Sequence, residues 1–236
     1  MLKAKGTARL PLEKDMRKNL GMKVSSLTDL VTAQIRDYII TGEFKPGQQL
    51  KEEELCEVFG ISRPPIREAF KTLEAIGLVV RRPRKGVIVA EFTVVDVEEV
   101  YTVISLLYQK ATDMAMRVMT DKDLEQLASH VERMATAIEA QPIKLLDYQA
   151  AHIAFHQLFM DLAGNERMKM IEKQLRYQIS IFSYKSFQDQ KHLISSLNYH
   201  RCIYEAICAK NRGQAMALVE EHIISAIEYL KKYFDK

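Results

Sequence analysis

The chain has 236 residues, 47% of them hydrophobic and 28% charged, with 9 Gly, 6 Pro and no Trp, which excludes a disordered chain and supplies cores for one large or two ordinary domains. Three cysteines, Cys56, Cys202 and Cys208, include no CxxC pair, and no apolar run suits a membrane span or signal peptide; a soluble cytoplasmic protein without a disulfide framework or a membrane partner is expected. The net charge of +3 is uneven: residues 1–92 hold 17 Lys and Arg against 12 Asp and Glu, a difference of +5, and residues 93–236 hold 17 against 19, a difference of −2. The basic excess in the first part is what a nucleic-acid-binding module gives.

Residues 1–24 carry seven basic residues with little apolar periodicity and read as a flexible basic arm. From Ser26, the residues Leu27, Leu30, Val31, Ile35, Tyr38 and Ile39 recur at helical spacing until Thr41-Gly42 ends the run, predicting a first helix. Phe44-Lys45-Pro46-Gly47 is a turn and Gln49-Leu50 a short strand. A second helix is predicted over 51–59, with Leu55 and Val58 inward, closing at Gly60.

Ser62 stands where a helix N-cap is expected, and Pro64 and Pro65 fall in a first turn that needs no internal N–H bonds, so a third helix starts at Arg63. Its apolar stripe is Ile66, Ala69, Phe70, Leu73 and Ile76, ending at Gly77. Arg63, Arg67 and Lys71 recur every four residues and share a face away from that stripe. Two β-rich runs, 78–82 and 87–92, flank Pro83-Arg84-Lys85-Gly86 and predict a hairpin with a basic tip. Beyond Asp96 only helices are predicted, over 97–119, 121–140, 142–163, 166–186, 192–209 and 211–233, forming a bundle. The fold class is therefore mostly α: an N-terminal winged helix-turn-helix with a small β-wing over 25–92, then an all-α bundle over 96–236.

Two stretches resemble a known family. The pieces G-x-x-x-P-G-x-x-L at Gly42–Leu50, L-x-x-x-x-G-I-S-R-P-P-I-R-E-A at Leu55–Ala69 and L-x-x-x-G-L-V at Leu73–Val79, with Gly86 in the wing, resemble the DNA-binding domain of GntR regulators. The pieces F-H-x-x-F-x-x-x-A-G-N at Phe155–Asn165, H-x-x-I-x-x-A-I at His200–Ile207 and A-x-x-x-V-x-x-H-I at Ala215–Ile223 resemble the ligand-binding, FCD-type domain of its FadR subfamily. The resemblance implies a ligand-responsive transcription regulator that is a homodimer, binds double-stranded operator DNA and senses a small-molecule metabolite, with a carboxylate among the candidates. It implies DNA contacts from Arg63 and Arg67 and from the wing residues Lys85 and Gly86, and Ser62, Pro65 and Lys71 on the same helix are candidates beside them. Position 53, often basic in relatives, is Glu53 here. The arginines suit the role on physical grounds as well, because a guanidinium fork bonds guanine or clamps a phosphate.

Of six histidines, His152 and His156 lie four apart on one predicted helix, with His200 and His222 on two later ones. In the subfamily an Asp and three His hold a metal. His156, His200 and His222 match the three His positions and His152 stands at the Asp position, which leaves either a four-histidine site or a three-histidine site with His152 beside it. Zinc or nickel accepts such nitrogen ligands. Where relatives carry an Arg and a Glu on the first bundle helix, this chain has Ile104 and Tyr108, and the effector pocket is expected to be more apolar. His130 and His192 are expected at the surface. The rival reading is a metal-dependent hydrolase using the histidines, but the residue after His152 is Ile153, not the glutamate that would act as general base; no catalytic residue is expected.

Overall fold

The structure is a computed structural model and describes residues 26–234. These fall into two compact units, one up to Glu91 and one from Phe92. The basic arm expected over residues 1–24 lies outside the described residues.

In the first unit, helix α1 (Leu27–Ile40) opens with a reciprocal capping box between Ser26 and Asp29, which satisfies backbone N–H groups that no helical carbonyl reaches. The two-residue strand β1 (Gln49–Leu50) leads to α2 (Glu52–Phe59), and Gly60 closes α2 in the left-handed conformation with φ 66°, where a side chain would be strained. Helix α3 (Arg63–Ala75) follows, then β2 (Val79–Arg82) and β3 (Gly86–Val89). The three strands form an antiparallel sheet in the order β1-β3-β2, with Arg82 opposite Gly86 at the hairpin end. Ile35 of α1, Ile66, Ala69, Phe70 and Leu73 of α3, Leu78 and the β2 residue Val79 form the buried core, so the stripe read from the sequence is the face that α3 turns inward, except for Ile76, which caps the helix and is half-buried.

Two details of this unit differ from expectation. Val58 is 52% exposed; the eight-residue α2 packs through Leu55 and Phe59, one turn apart, leaving Val58 at its outer edge. Ser62 occupies the N-cap position of α3 but makes no capping hydrogen bond. An N-cap oxygen accepts from the second or third helical N–H, and here those residues are Pro64 and Pro65, which have none.

The second unit is a bundle of α4 (Val94–Ala115), α5 (Asp121–Glu139), α6 (Leu145–Leu162), α7 (Glu166–Ser186), α8 (Gln190–Cys208) and α9 (Arg212–Phe234). Capping sets several starts that apolar periodicity misplaces. Thr93 and Asp96 form a capping box that starts α4 at Val94, ahead of the predicted 97. Asp189 accepts from the N–H groups of Lys191 and His192 and starts α8 at Gln190, ahead of the predicted 192. Around α6, helices α4, α5 and α7 pack, and α9 lies against α4, α7 and α8. Tyr148, Phe155, Phe159, Leu127, Met134 and Ile104 are fully buried in this core. At the rim, Asp113 gathers Arg212, Lys110 and Arg117; the hydrogen bond from Arg212 leads in holding its carboxyl down to about 2. That cluster joins the end of α4 to the start of α9. No described helix is long and apolar enough to cross a membrane.

Candidate functional site

The first unit carries a charged surface on α3. Ser62, Arg63, Arg67 and Lys71 are exposed and Pro65 is half-buried. The wing turn presents Lys85 and Gly86, both exposed, with Gly86 at φ 71° and Arg84 at φ 63°; the Lys85 carbonyl accepts from Gln49 Nε2 at 2.6 Å, tying the turn to β1. Each cation of α3 has a carboxylate partner. Arg63 Nη2 meets Glu53 Oε1 at 2.8 Å, Arg67 Nε meets Glu52 Oε2 at 2.8 Å, and Lys71 Nζ meets Glu68 Oε1 at 2.8 Å. Glu52 and Glu53 belong to the first turn of α2, which also holds Glu54, where carboxylates suit the positive end of the helix dipole. Of these acidic partners the sequence reading singled out only Glu53, as a departure from a position that is often basic, although three successive Glu before an apolar helix are visible there.

In the second unit the histidines converge. His152 and His156 project from adjacent turns of α6, His200 comes from α8 and His222 from α9, and all four are buried. One ring nitrogen from each lies within 4.8 Å of those of the other three. Ring centroids are 4.8 Å apart for His152 and His200, 5.1 Å for His156 and His200, and 4.6 Å for His200 and His222. Tyr108 lies flat on His156 with centroids 4.5 Å apart, and Phe155 meets His200 edge-on, so aromatic walls hold the rings.

The hydrogen bonding identifies the free lone pairs. His200 Nδ1 lies 2.7 Å from the Ser196 carbonyl; a carbonyl only accepts, so Nδ1 carries the proton and Nε2 of the neutral ring is bare. That bare Nε2 faces His156 Nε2 at 3.1 Å. Two imidazole nitrogens on a tetrahedral ion with bonds of about 2.0–2.1 Å stand about 3.3–3.4 Å apart, close to this separation. Nδ1 of His152 and of His156 are buried without a hydrogen-bond partner. Burial, followed by the other histidines, pushes the pKa of His152, His156 and His222 well below the usual value, and burial takes His200 down to about 4. The rings are therefore neutral near pH 7, as metal ligation requires. Among the described residues no carboxylate or thiol joins this cluster. The donor set thus fits a nitrogen-accepting divalent ion, and the Ser196 carbonyl supplies the outer-shell support that orients a ligating imidazole.

Beside the histidines is a cavity lined by His152, His156, His222, Tyr101, Ile104, Tyr108, Arg176, Ser180, Ser183 and Ile223 among others. Ile104 and Tyr108 both stand in its wall, and apolar groups make up most of the lining. Charge nevertheless enters from α7, which the sequence reading did not single out. Glu172 is buried, accepts from Tyr108 Oη at 3.2 Å and from Arg176 Nε at 2.9 Å. Burial first, then the Glu172 carboxylate, holds the Tyr108 pKa well above its usual value, so Tyr108 stays the donor. Ser180, Ser183 and Ser186 continue this polar line along α7. His192, expected at the surface, is 6% exposed: it stacks on Tyr229 at 4.5 Å and lines the same cavity. His130 is half-buried rather than exposed.

Comparison with known proteins decides the family. Residues 27–89 match the family model described as bacterial regulatory proteins, gntR family, and residues 99–225 match the FCD domain. The chain belongs to the GntR family of transcription regulators and carries an FCD domain. It is 28% identical over 208 residues to an uncharacterized HTH-type transcriptional regulator, YdhC, of Bacillus subtilis, covering 86% of this chain and 90% of that protein. It is 28% identical over 222 residues to the HTH-type transcriptional regulator LutR of the same organism, covering 84% and 98%. A putative GntR transcriptional regulator from Rhodococcus sp. RHA1 has the same fold with a TM-score of 0.76 at 23% identity, covering 88% of this chain and 99% of that one. The E. coli protein McbR/YncC gives 0.75 at 20%, covering 89% and 99%. As a GntR-family regulator with an FCD domain, the chain joins a DNA-binding head to a ligand-binding bundle, the architecture read from its motifs.

Proposed function

We propose that this GntR-family protein is a cytoplasmic homodimer whose heads, residues 25–92, enter the major groove of operator DNA through α3, while residues 96–236 dimerise and bind an effector beside a divalent metal. The observation that carries the sensing half is the convergence of four buried, neutral histidines from α6, α8 and α9 on one point next to a cavity. His156, His200 and His222 hold the ion, zinc or nickel, and His152 stands at the place of a carboxylate ligand, either as a fourth ligand or beside a three-histidine site. Such an ion would supply an uncompensated double positive charge and, where His152 stands aside, a fourth position for an electron-pair donor of the effector. The chain's own contribution is orientation: the Ser196 carbonyl aims His200, and Tyr108 and Phe155 hold His156 and His200 flat and edge-on. Arg176, kept charged beside Glu172, offers a second anchor at the cavity wall, so a small anion such as a carboxylate fits the site.

In the head, Arg63 and Arg67 reach base edges or phosphates, the Ser62 hydroxyl that Pro64 and Pro65 leave outside the helix cap is available to the DNA backbone, and Lys71, Lys85 and the Gly86 turn contact phosphates. A head of about 65 residues buries too little surface for tight specific binding, so two heads read an inverted repeat. The test is selection of bound genomic fragments by the purified protein, followed by titration of the enriched site with metal-loaded and chelated protein. The expected result is one enriched inverted repeat whose affinity differs between the two metal states. No enriched motif, or equal affinity in both states, would contradict the reading.

A further inference from the structure

Beyond facing the positive end of α2, a small effect for an exposed carboxylate, Glu53 has little to do in folding. Its side chain is 74% exposed, and its partner Arg63 is 55% exposed; an ion pair this open contributes little to stability. It also stands in an unfavourable place for a protein that approaches phosphates, because each carboxylate near the duplex reduces counterion release and weakens non-specific binding. Yet the pair lies at the N-terminal end of α3, and the N-terminal residues of a recognition helix are the ones that meet base edges. Only one carboxylate oxygen of Glu53 and one guanidinium nitrogen of Arg63 are engaged between them. Oε2 of Glu53 and the remaining N–H groups of Arg63 are not used in this contact, and both side chains are exposed, which leaves an acceptor and a donor side by side for another partner.

That juxtaposition has a natural complement in the major groove. A carboxylate accepts from the exocyclic amine of cytosine, and a guanidinium donates to guanine O6 and N7. We propose that Glu53 is a specificity-determining residue of the DNA head, reading a cytosine amine while it steers Arg63 to a neighbouring guanine. Glu52 is not part of this device. It is less exposed, at 28%, and pairs with Arg67 further along α3, where it holds α2 against α3. The inference rests on α3 being the recognition helix.

The test is site selection from randomised half-sites with the full-length wild type and the variants Glu53→Ala and Glu53→Gln, each checked for an unchanged thermal midpoint. Wild type should prefer cytosine at one position of the half-site by about tenfold or more. Glu53→Ala should bind unrelated DNA more tightly and lose that preference to within about threefold. Glu53→Gln should move the preference at the same position toward adenine, since an amide bonds adenine N6 and N7. A motif from the Glu53→Ala protein with base preferences identical to wild type overturns the inference, whatever happens to total affinity. Failure of the wild type itself to enrich any motif would instead overturn the assignment of α3.

Discussion

The two units of this regulator place their polar chemistry in opposite ways. In the head the cations of α3 are outside, each beside a carboxylate in water; in the bundle the four histidines, Glu172 and Tyr108 are inside, with few partners to spare. An exposed ion pair is weak and exchanges readily for a phosphate or a base, which suits a surface that must bind and release DNA. A buried neutral imidazole with an unpartnered nitrogen is costly until something occupies it, which suits a site whose occupancy is to be felt through the fold. The head is built to read and the bundle to register an occupant.

Substitutions should separate the two. The largest effect is expected in the bundle core: Phe155→Ala removes a fully buried ring packed on His200 and Phe159 and should cost about 3–5 kcal/mol of unfolding free energy in urea. In the head, Arg63→Ala should leave the urea midpoint almost unchanged and cost about 1–3 kcal/mol of operator affinity, with relaxed base preference. An Arg63→Ala, Arg67→Ala protein that stays folded and binds operator as wild type does would remove α3 from the interface.

A pH titration sharpens the contrast further. The folded pKa of His200 is depressed to about 4, against about 6.5 when unfolded, so between those values the unfolded chain holds a proton that the folded one excludes. Stability of the metal-free protein is therefore intact above about pH 6.5 and falls as pH drops toward about 4, by up to about 1.4 kcal/mol per pH unit for each such histidine. Urea midpoints measured across that window should decline, and His200→Ala should flatten the slope. The smallest effect is at the wing: Lys85→Ala should weaken binding to all sequences alike and reduce the salt slope by about one.

How legible each region was in the sequence follows from how it is assembled. The head's determinants lie within one contiguous stretch, Gly42 to Gly86, where turn glycines, prolines and the four-residue spacing of Arg63, Arg67 and Lys71 each have a local meaning. The histidine cluster was legible only because the spacing of His152 and His156 and the later motifs around His200 and His222 could be read in turn. What local patterns could not supply was the cavity wall. Glu172 and Arg176, four apart on α7, look in sequence like an ordinary solvated pair, and only the packing of α7 against α4 puts them beside Tyr108. His192 was misread for the same reason: Tyr229, which covers it, is 37 residues away on α9. Val58 and the uncapped Ser62 show the reverse, since their deviations follow from neighbours one to three residues away.

The metal proposed at the histidine cluster should stabilise the folded state. The most direct test is the thermal midpoint of wild type and His200→Ala, each with chelator and with added zinc or nickel, alongside elemental analysis. Binding confined to the folded state should stabilise wild type by about 2.7 kcal/mol at a hundredfold excess over Kd, raising the midpoint by several degrees, with no shift in His200→Ala. An unchanged wild-type midpoint with no metal found would contradict the claim and leave the histidines as a polar lining of the cavity.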